Sequence, residues 1–412
     1  LKLTISTVLF GPERHEALAG DAWSQGAARA AIERWVAAAL TDFDPARGWR
    51  AHPREDGGPP GEPLHELYGG AGGAIWALEH MAEAGAVPKR WDFRSFVAGL
   101  AGQQVAALTD SRHGTAAFLI GESGLRLLEW KLTRDATVAR RLFEVVEGNL
   151  QNPVREQLWG SSGSVLAAIA MAEHTGEAGW SALVQRAVQA LWDEMEPIDA
   201  AGGTWGWVQK LYGRVETLIG AGHGFVGNVY PAVRGAAFIT PELRDAFAAR
   251  ALAFLQATAL RDGDCVNWWP RVPPSSPTNK PPLVQDCHGA AGIVCRLAPL
   301  PHSVPHAEAW DLLLLQAGEL TWRAGPLAKG VAFCHGTAGN AHAFLHLFAR
   351  TGDERWLARA RAFAMHGIAQ VEQERAVHGR GRHTLWTGDL GMACVLWDCI
   401  SGRPGFPTLD CF

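Results

Sequence analysis

Two Cys-His-Gly triplets carry the chemistry of this chain. Cys287-His288-Gly289 lies in LVQDCHGAAG and Cys334-His335-Gly336 in FCHGTAGNAHAF, while His223 sits earlier in GAGHGFVG. Paired thiols and imidazoles are the donor inventory of a metal site, and zinc suits that mixture best. A helix start favours thiolate over thiol, which is the form a metal binds. Cys287, His288, Cys334 and His335 together would make a closed structural site. Adjacent residues rarely both aim at one ion, however, and three ligands with one open position is the catalytic pattern. His223 can serve as acid or base beside such an opening.

The elements that must position these residues form a repeat. A Gly-x-x-Gly element followed by an apolar run occurs seven times, with first glycines at Gly69, Gly121, Gly160, Gly224, Gly289, Gly336 and Gly388. The intervals between them run from 39 to 65 residues, and each holds a second stretch with helical amphipathic spacing. Strict alternation is scarce, so any strands are short. The helix opened by each glycine turn is poor in charge and reads as buried all round. The partner helix reads as an outer one. Seven inner helices ringed by seven outer ones predict an all-α fold, an α/α toroid or double-layered barrel, in preference to an open solenoid. Residues 1–412 then make one domain.

In such a ring all seven inner N-termini point to one mouth. Glu66, Tyr68, Glu122, Glu156, Trp159, His223, both Cys-His pairs, Trp386 and Asp389 are predicted to converge there. Two segments rich in Pro and Gly, 50–66 and 270–282, interrupt the helices. The second is predicted to rim the Cys287 turn.

Composition narrows the function classes. The 412 residues carry a net charge of −5, which argues against a binder of nucleic-acid backbones. With 48% hydrophobic and 19% charged residues, the chain can bury a large core and is not a disordered one. No run of about 18 apolar residues exists, so no transmembrane segment is predicted. The opening LKLTISTVLF reads as structure, not as a secretion signal. Seven cysteines, an odd number, fit a reducing, cytoplasmic setting better than a disulfide framework. Cys394, Cys399 and Cys411 read as core or tail. His302, His306, His342, His346, His378 and His383 have no ligand-like context.

Through the seven glycine turns, GAGHGFVG, LVQDCHGAAG and FCHGTAGNAHAF, the sequence resembles the lanthionine synthetase C-like proteins along essentially its whole length. The resemblance implies a fourteen-helix toroid and one Zn²⁺ held by Cys287, Cys334 and His335. It implies an enzyme in which His223 is the acid/base residue. By their chemistry, Glu156 is expected to orient that histidine or the substrate, and His288 to bind substrate or to hydrogen-bond to a metal ligand. The implied reaction adds a thiolate to dehydroalanine or dehydrobutyrine. The implied partner is a dehydrated peptide or protein, with glutathione as the alternative thiol source. Glu156 stands where the peptide cyclases usually have Asp, and His288 where they often have Tyr. Both departures resemble the stand-alone members. Among the rivals, a zinc prenyltransferase subunit does not carry paired Cys-His-Gly turns. A glycosidase using Glu122, Glu156 and Asp389 leaves those turns unexplained. The non-enzymatic rival is a zinc-bearing module that binds modified peptides or thiols without turnover.

Overall fold

In the computed structural model, residues 8–18, 21–55, 61–273 and 280–412 are described. Part of each Pro/Gly segment and most of LKLTISTVLF lie outside the described residues. Each outer helix precedes an inner one along the chain: α1 (Gln25–Thr41) and α2 (Ala71–Glu83), α3 (Arg94–Ala107) and α4 (Glu122–Thr133), α5 (Ala136–Gly148) and α6 (Ser161–Thr175), α7 (Ala178–Asp193) and α8 (Phe225–Arg234), α9 (Pro241–Thr258) and α10 (Ala290–Leu297), α11 (Ala307–Ala324) and α12 (Thr337–Thr351), α13 (Glu354–His378) and α14 (Asp389–Ser401). Each even-numbered helix packs against the next even-numbered one, and α14 returns to α2. The ring is closed.

The two layers begin their helices differently. Four of the seven outer helices use side-chain caps: Ser24, Asp135, Thr240 and Asp353 accept hydrogen bonds from amides of α1, α5, α9 and α13. Inner helices start at glycine with no side-chain cap. Their first amides bond instead to carbonyls seven residues earlier, as in Ala71 N to Leu64 O (2.8 Å), Glu122 N to Thr115 O (2.7 Å) and Thr337 N to Gly330 O (2.8 Å). The lead-in chain therefore lies against the first helical turn, and the second glycine of each motif makes room for it. In the first repeat the capping residue is Gly70, one position after the predicted Gly69.

This close approach carries a stability prediction. A Cβ on Gly292 would sit 1.7 Å from Asp286 O, a backbone atom that cannot yield without moving the Cys287 turn. Gly292→Ala is expected to lower stability by about 3 kcal/mol or more, at the upper end of overpacking costs. Gly102→Ala on α3 has open space around it and is expected to be neutral or to stabilise by up to about 1 kcal/mol. Paired thermal melts check the contrast.

Short antiparallel strands occupy the two longest intervals. β1 (Glu196–Ile198) pairs with β2 (Thr204–Gly206). β3 (Gln209–Leu211) pairs with β4 (Arg214–Leu218), and β5 (Ala259–Asp262) with β6 (Cys265–Trp268). β7 (Arg271–Val272) adds to the free side of β4, with Ile219 N bonded to Pro270 O at 3.0 Å. That junction fastens the chain leading to His223 beside the chain leading to Cys287. The predicted rim segment is thus anchored at its described start.

The centre of the ring is filled by the C-terminal segment. Phe406 packs on Phe333, His342 and Trp386, and Trp386 Nε1 donates to Thr408 Oγ1 at 3.3 Å. Tyr230 of α8 donates its hydroxyl to Asp410, whose other oxygen faces His346 of α12. The buried Arg296–Asp286 pair (2.9 Å) continues this polar axis.

Candidate functional site

A girdle of backbone hydrogen bonds runs from turn to turn around the mouth. Gly222 N bonds to Cys287 O (3.2 Å), Cys287 N to Cys334 O (3.0 Å), Phe333 N to Trp386 O (2.9 Å), Trp386 N to Tyr68 O (3.1 Å) and Tyr68 N to Leu119 O (2.9 Å). These bonds set the two Cys-His turns side by side. Asn267 of β6 steadies the Cys287 turn, accepting from Ala290 N and donating to Leu283 O, both at 3.0 Å. Gly289 adopts φ of +111°, a conformation reserved for glycine, immediately after Cys287-His288.

The two thiols lie in contact, and each biases the titration of the other. The contact with Cys334, reinforced by burial, pushes the Cys287 thiol well up. The same contact, helped by His335 and Tyr68 and opposed by burial, holds Cys334 well below the usual thiol range. Cys334 is the hub of these contacts, hydrogen-bonded to Cys287, His335 and the Tyr68 hydroxyl. Gln285 Nε2 donates to Cys287 Sγ at 3.0 Å. Two sulfurs in contact, with an imidazole on the second, are a donor set whose chemistry fits zinc. The three donor atoms are not as tightly gathered as those of His52, Glu374 and His378, which lie within 4.8 Å of one another. Closing on a metal requires side-chain rotation.

His223 and Glu156 form a second unit. The Glu156 carboxylate is fully buried, accepts from Leu158 N (3.0 Å) and Trp159 N, and meets His223 Nδ1 at 2.8 Å. Burial pulls the imidazole down, but the Glu156 hydrogen bond and charge, with Cys334, hold its pKa above the ordinary value. With Nδ1 committed to the carboxylate, Nε2 is the nitrogen left for chemistry. Trp159, His113 and Tyr212 make an aromatic wall beside it. Trp159 Nε1 donates to Tyr212 Oη (3.1 Å), and the Tyr212 and His223 rings stand edge to face at 6.3 Å.

His288 sits 5.9 Å, ring to ring, from His223. Burial, with the His223 charge, lowers its pKa to about 4, so the ring is neutral at pH 7. Its Nδ1 is buried without a hydrogen-bond partner. A neutral ring beside the thiol pair is placed to contact substrate. His288→Tyr is expected to keep the metal and raise KM more than it lowers kcat, read from steady-state kinetics on metal-quantified protein.

Two further carboxylates at inner-helix starts are ion-paired to arginine. Glu122 is held by Arg126 (3.3 Å) and by Arg141 of the outer α5 (3.1 Å), and Asp389 by Arg375 of the outer α13 (2.9 Å). That removes the facing pair a glycosidase needs. Tyr68 was expected at the mouth and is there, but its bond to Cys334 had no signal in the sequence.

The sequence profile of the lanthionine synthetase C-like protein family matches residues 60–410. The chain belongs to that family. Among curated relatives, the LanC-like protein GCL1 of Arabidopsis thaliana is 34% identical over 125 residues, 29% of this chain and 28% of that protein. The glutathione S-transferase LANCL1 of Danio rerio is 42% identical over 82 residues, 20% of each chain. The alignments thus span less than a third of those relatives' lengths. Nisin cyclase shares the fold, with a TM-score of 0.58 at 13% identity over 92% of this chain and 95% of that one. Among the described residues no helix is long and apolar enough to cross a membrane.

Proposed function

We propose that this LanC-like chain is a cytoplasmic enzyme joining a thiol to a dehydroalanine or dehydrobutyrine residue to make a thioether. The observation that carries the reading is the Cys287–Cys334–His335 contact at the mouth, with the His223–Glu156 pair beside it. Cys287, Cys334 and His335 would hold zinc, which when bound supplies a site where a substrate thiol is thiolate at neutral pH. The aromatic wall of Trp159 and Tyr212 would hold the dehydrated peptide, and His288 would contact its carbonyl or the thiol. The sulfur forms a bond to the β-carbon as the alkene electrons move to the α-carbon. His223, protonated and steadied by Glu156, delivers a proton from Nε2 to that carbon.

The test mixes zinc-loaded protein with dehydroalanine peptides, with and without an internal cysteine and with and without glutathione. Ring closure leaves the mass unchanged and is read as loss of an alkylatable thiol. Glutathione addition is read as a mass increase of one glutathione. Peptides that bind but give neither change support the binding module instead.

A further inference from the structure

His52, Glu374 and His378 form a second group of metal donors, separate from the Cys-His turns. Their ligand atoms lie within 4.8 Å of one another. Glu374 and His378 are four residues apart at the end of α13 and so share a helix face. His52 reaches them from the segment before α2, its side chain 1% exposed and its ring edge to face with His378 at 4.6 Å.

The hydrogen bonding leaves two buried polar atoms unpaired. Glu374 Oε2 takes Arg54 Nη1 at 2.8 Å, whereas Oε1 is buried with no hydrogen-bond partner, 3.9 Å from His52 Nδ1. His52 Nδ1 accepts from Arg54 N at 3.3 Å, and its Nε2 is buried without a partner. Buried polar atoms left unpaired are uncommon and each calls for an explanation such as a missing ion. Two in one cluster of three donors have a common explanation. We propose that His52, Glu374 and His378 bind a divalent transition-metal ion, with zinc the natural occupant for two imidazoles and a carboxylate. The ion would tie residues 50–55 to the end of α13 and so stiffen the rim of the toroid.

The nearby cations set the expected strength. Arg54 also donates to Lys329 O, Arg380 to Arg50 O and Ala51 O, and Arg382 to Glu55 and Arg54 O. These bonds fix the loop, but their charge opposes a dication. The site should bind more weakly than the cysteine set and lose its metal first to a chelator.

The test is a Co²⁺ titration of stripped full-length protein followed by visible and near-ultraviolet absorption. Two ions per chain are expected. The tighter one should bring thiolate-to-cobalt charge-transfer absorption, and the weaker one only ligand-field bands. His52→Gln and His378→Gln should each weaken the second step beyond the roughly 10–100-fold typical of outer-shell changes while leaving the first intact. A Cys287→Ser/Cys334→Ser double variant should keep the second step alone, so the two sites fail independently. If the buried His52 variant does not fold, the half-buried His378 variant decides. Saturation at one ion per wild-type chain, or a second step that survives in His378→Gln, overturns the proposal.

Discussion

Cys334→Ala protein is expected to lose its zinc and its thioether-forming turnover together while keeping its fold. Cys334 is the hub of the proposed donor set, the sulfur that Cys287, His335 and Tyr68 all reach. Removing an outer-shell partner of a metal typically costs about 10–100-fold in affinity, and removing a sulfur donor costs more. Zinc content after dialysis against chelator should therefore fall to background. Fold survives because the turns are held by main chain: Cys287 N to Cys334 O and Phe333 N to Trp386 O do not depend on either thiol. Cys287→Ala should behave alike. Metal analysis and circular dichroism on the same samples make the check. Full zinc retention in either variant removes the set, and a lost fold would mean that the thiols are packing groups after all.

The layer structure was legible because it is written into every repeat. Glycine turns and charge-poor runs mark the inner helices, and amphipathic stretches such as ATVARRLFEVVEG mark the outer ones. Closure was a weaker inference, since the packing of α14 against α2 joins residues more than 300 positions apart and no local pattern encodes it. The arginine partners of Glu122 and Asp389 were hidden for the same reason. Both stand at the repeat position of other mouth residues, yet each turns toward an arginine on an outer helix, Arg141 or Arg375, whose phase the repeat does not specify. The C-terminal segment filling the ring gave no signal beyond an apolar tail, because its partners Phe333, Trp386 and Tyr230 come from three different repeats. His378 has no ligand-like context in its own stretch of sequence. Only its four-residue spacing from Glu374 was visible locally, and His52 lies on the far side of the sequence.

His223→Ala is expected to keep zinc and fold and to lower turnover by about 10²–10⁴-fold, the usual weight of a positioned acid or base. The imidazole is outside the sulfur cluster, held through Nδ1 by Glu156 on a different turn, so its removal leaves every proposed metal donor in place. Its raised pKa follows from Glu156 and Cys334 outweighing burial. The acid form is present below that pKa and is lost as pH rises through it, which gives kcat a falling limb on the alkaline side. Glu156→Gln takes away the opposing charge and leaves burial in control, so this limb should move to lower pH. In His223→Ala the limb should vanish along with most of the rate. A zinc-depleted His223→Ala protein would instead make His223 a ligand and displace one of the three donors assigned above. An alanine variant with the wild-type rate and an unchanged limb would hand the protonation step to another group.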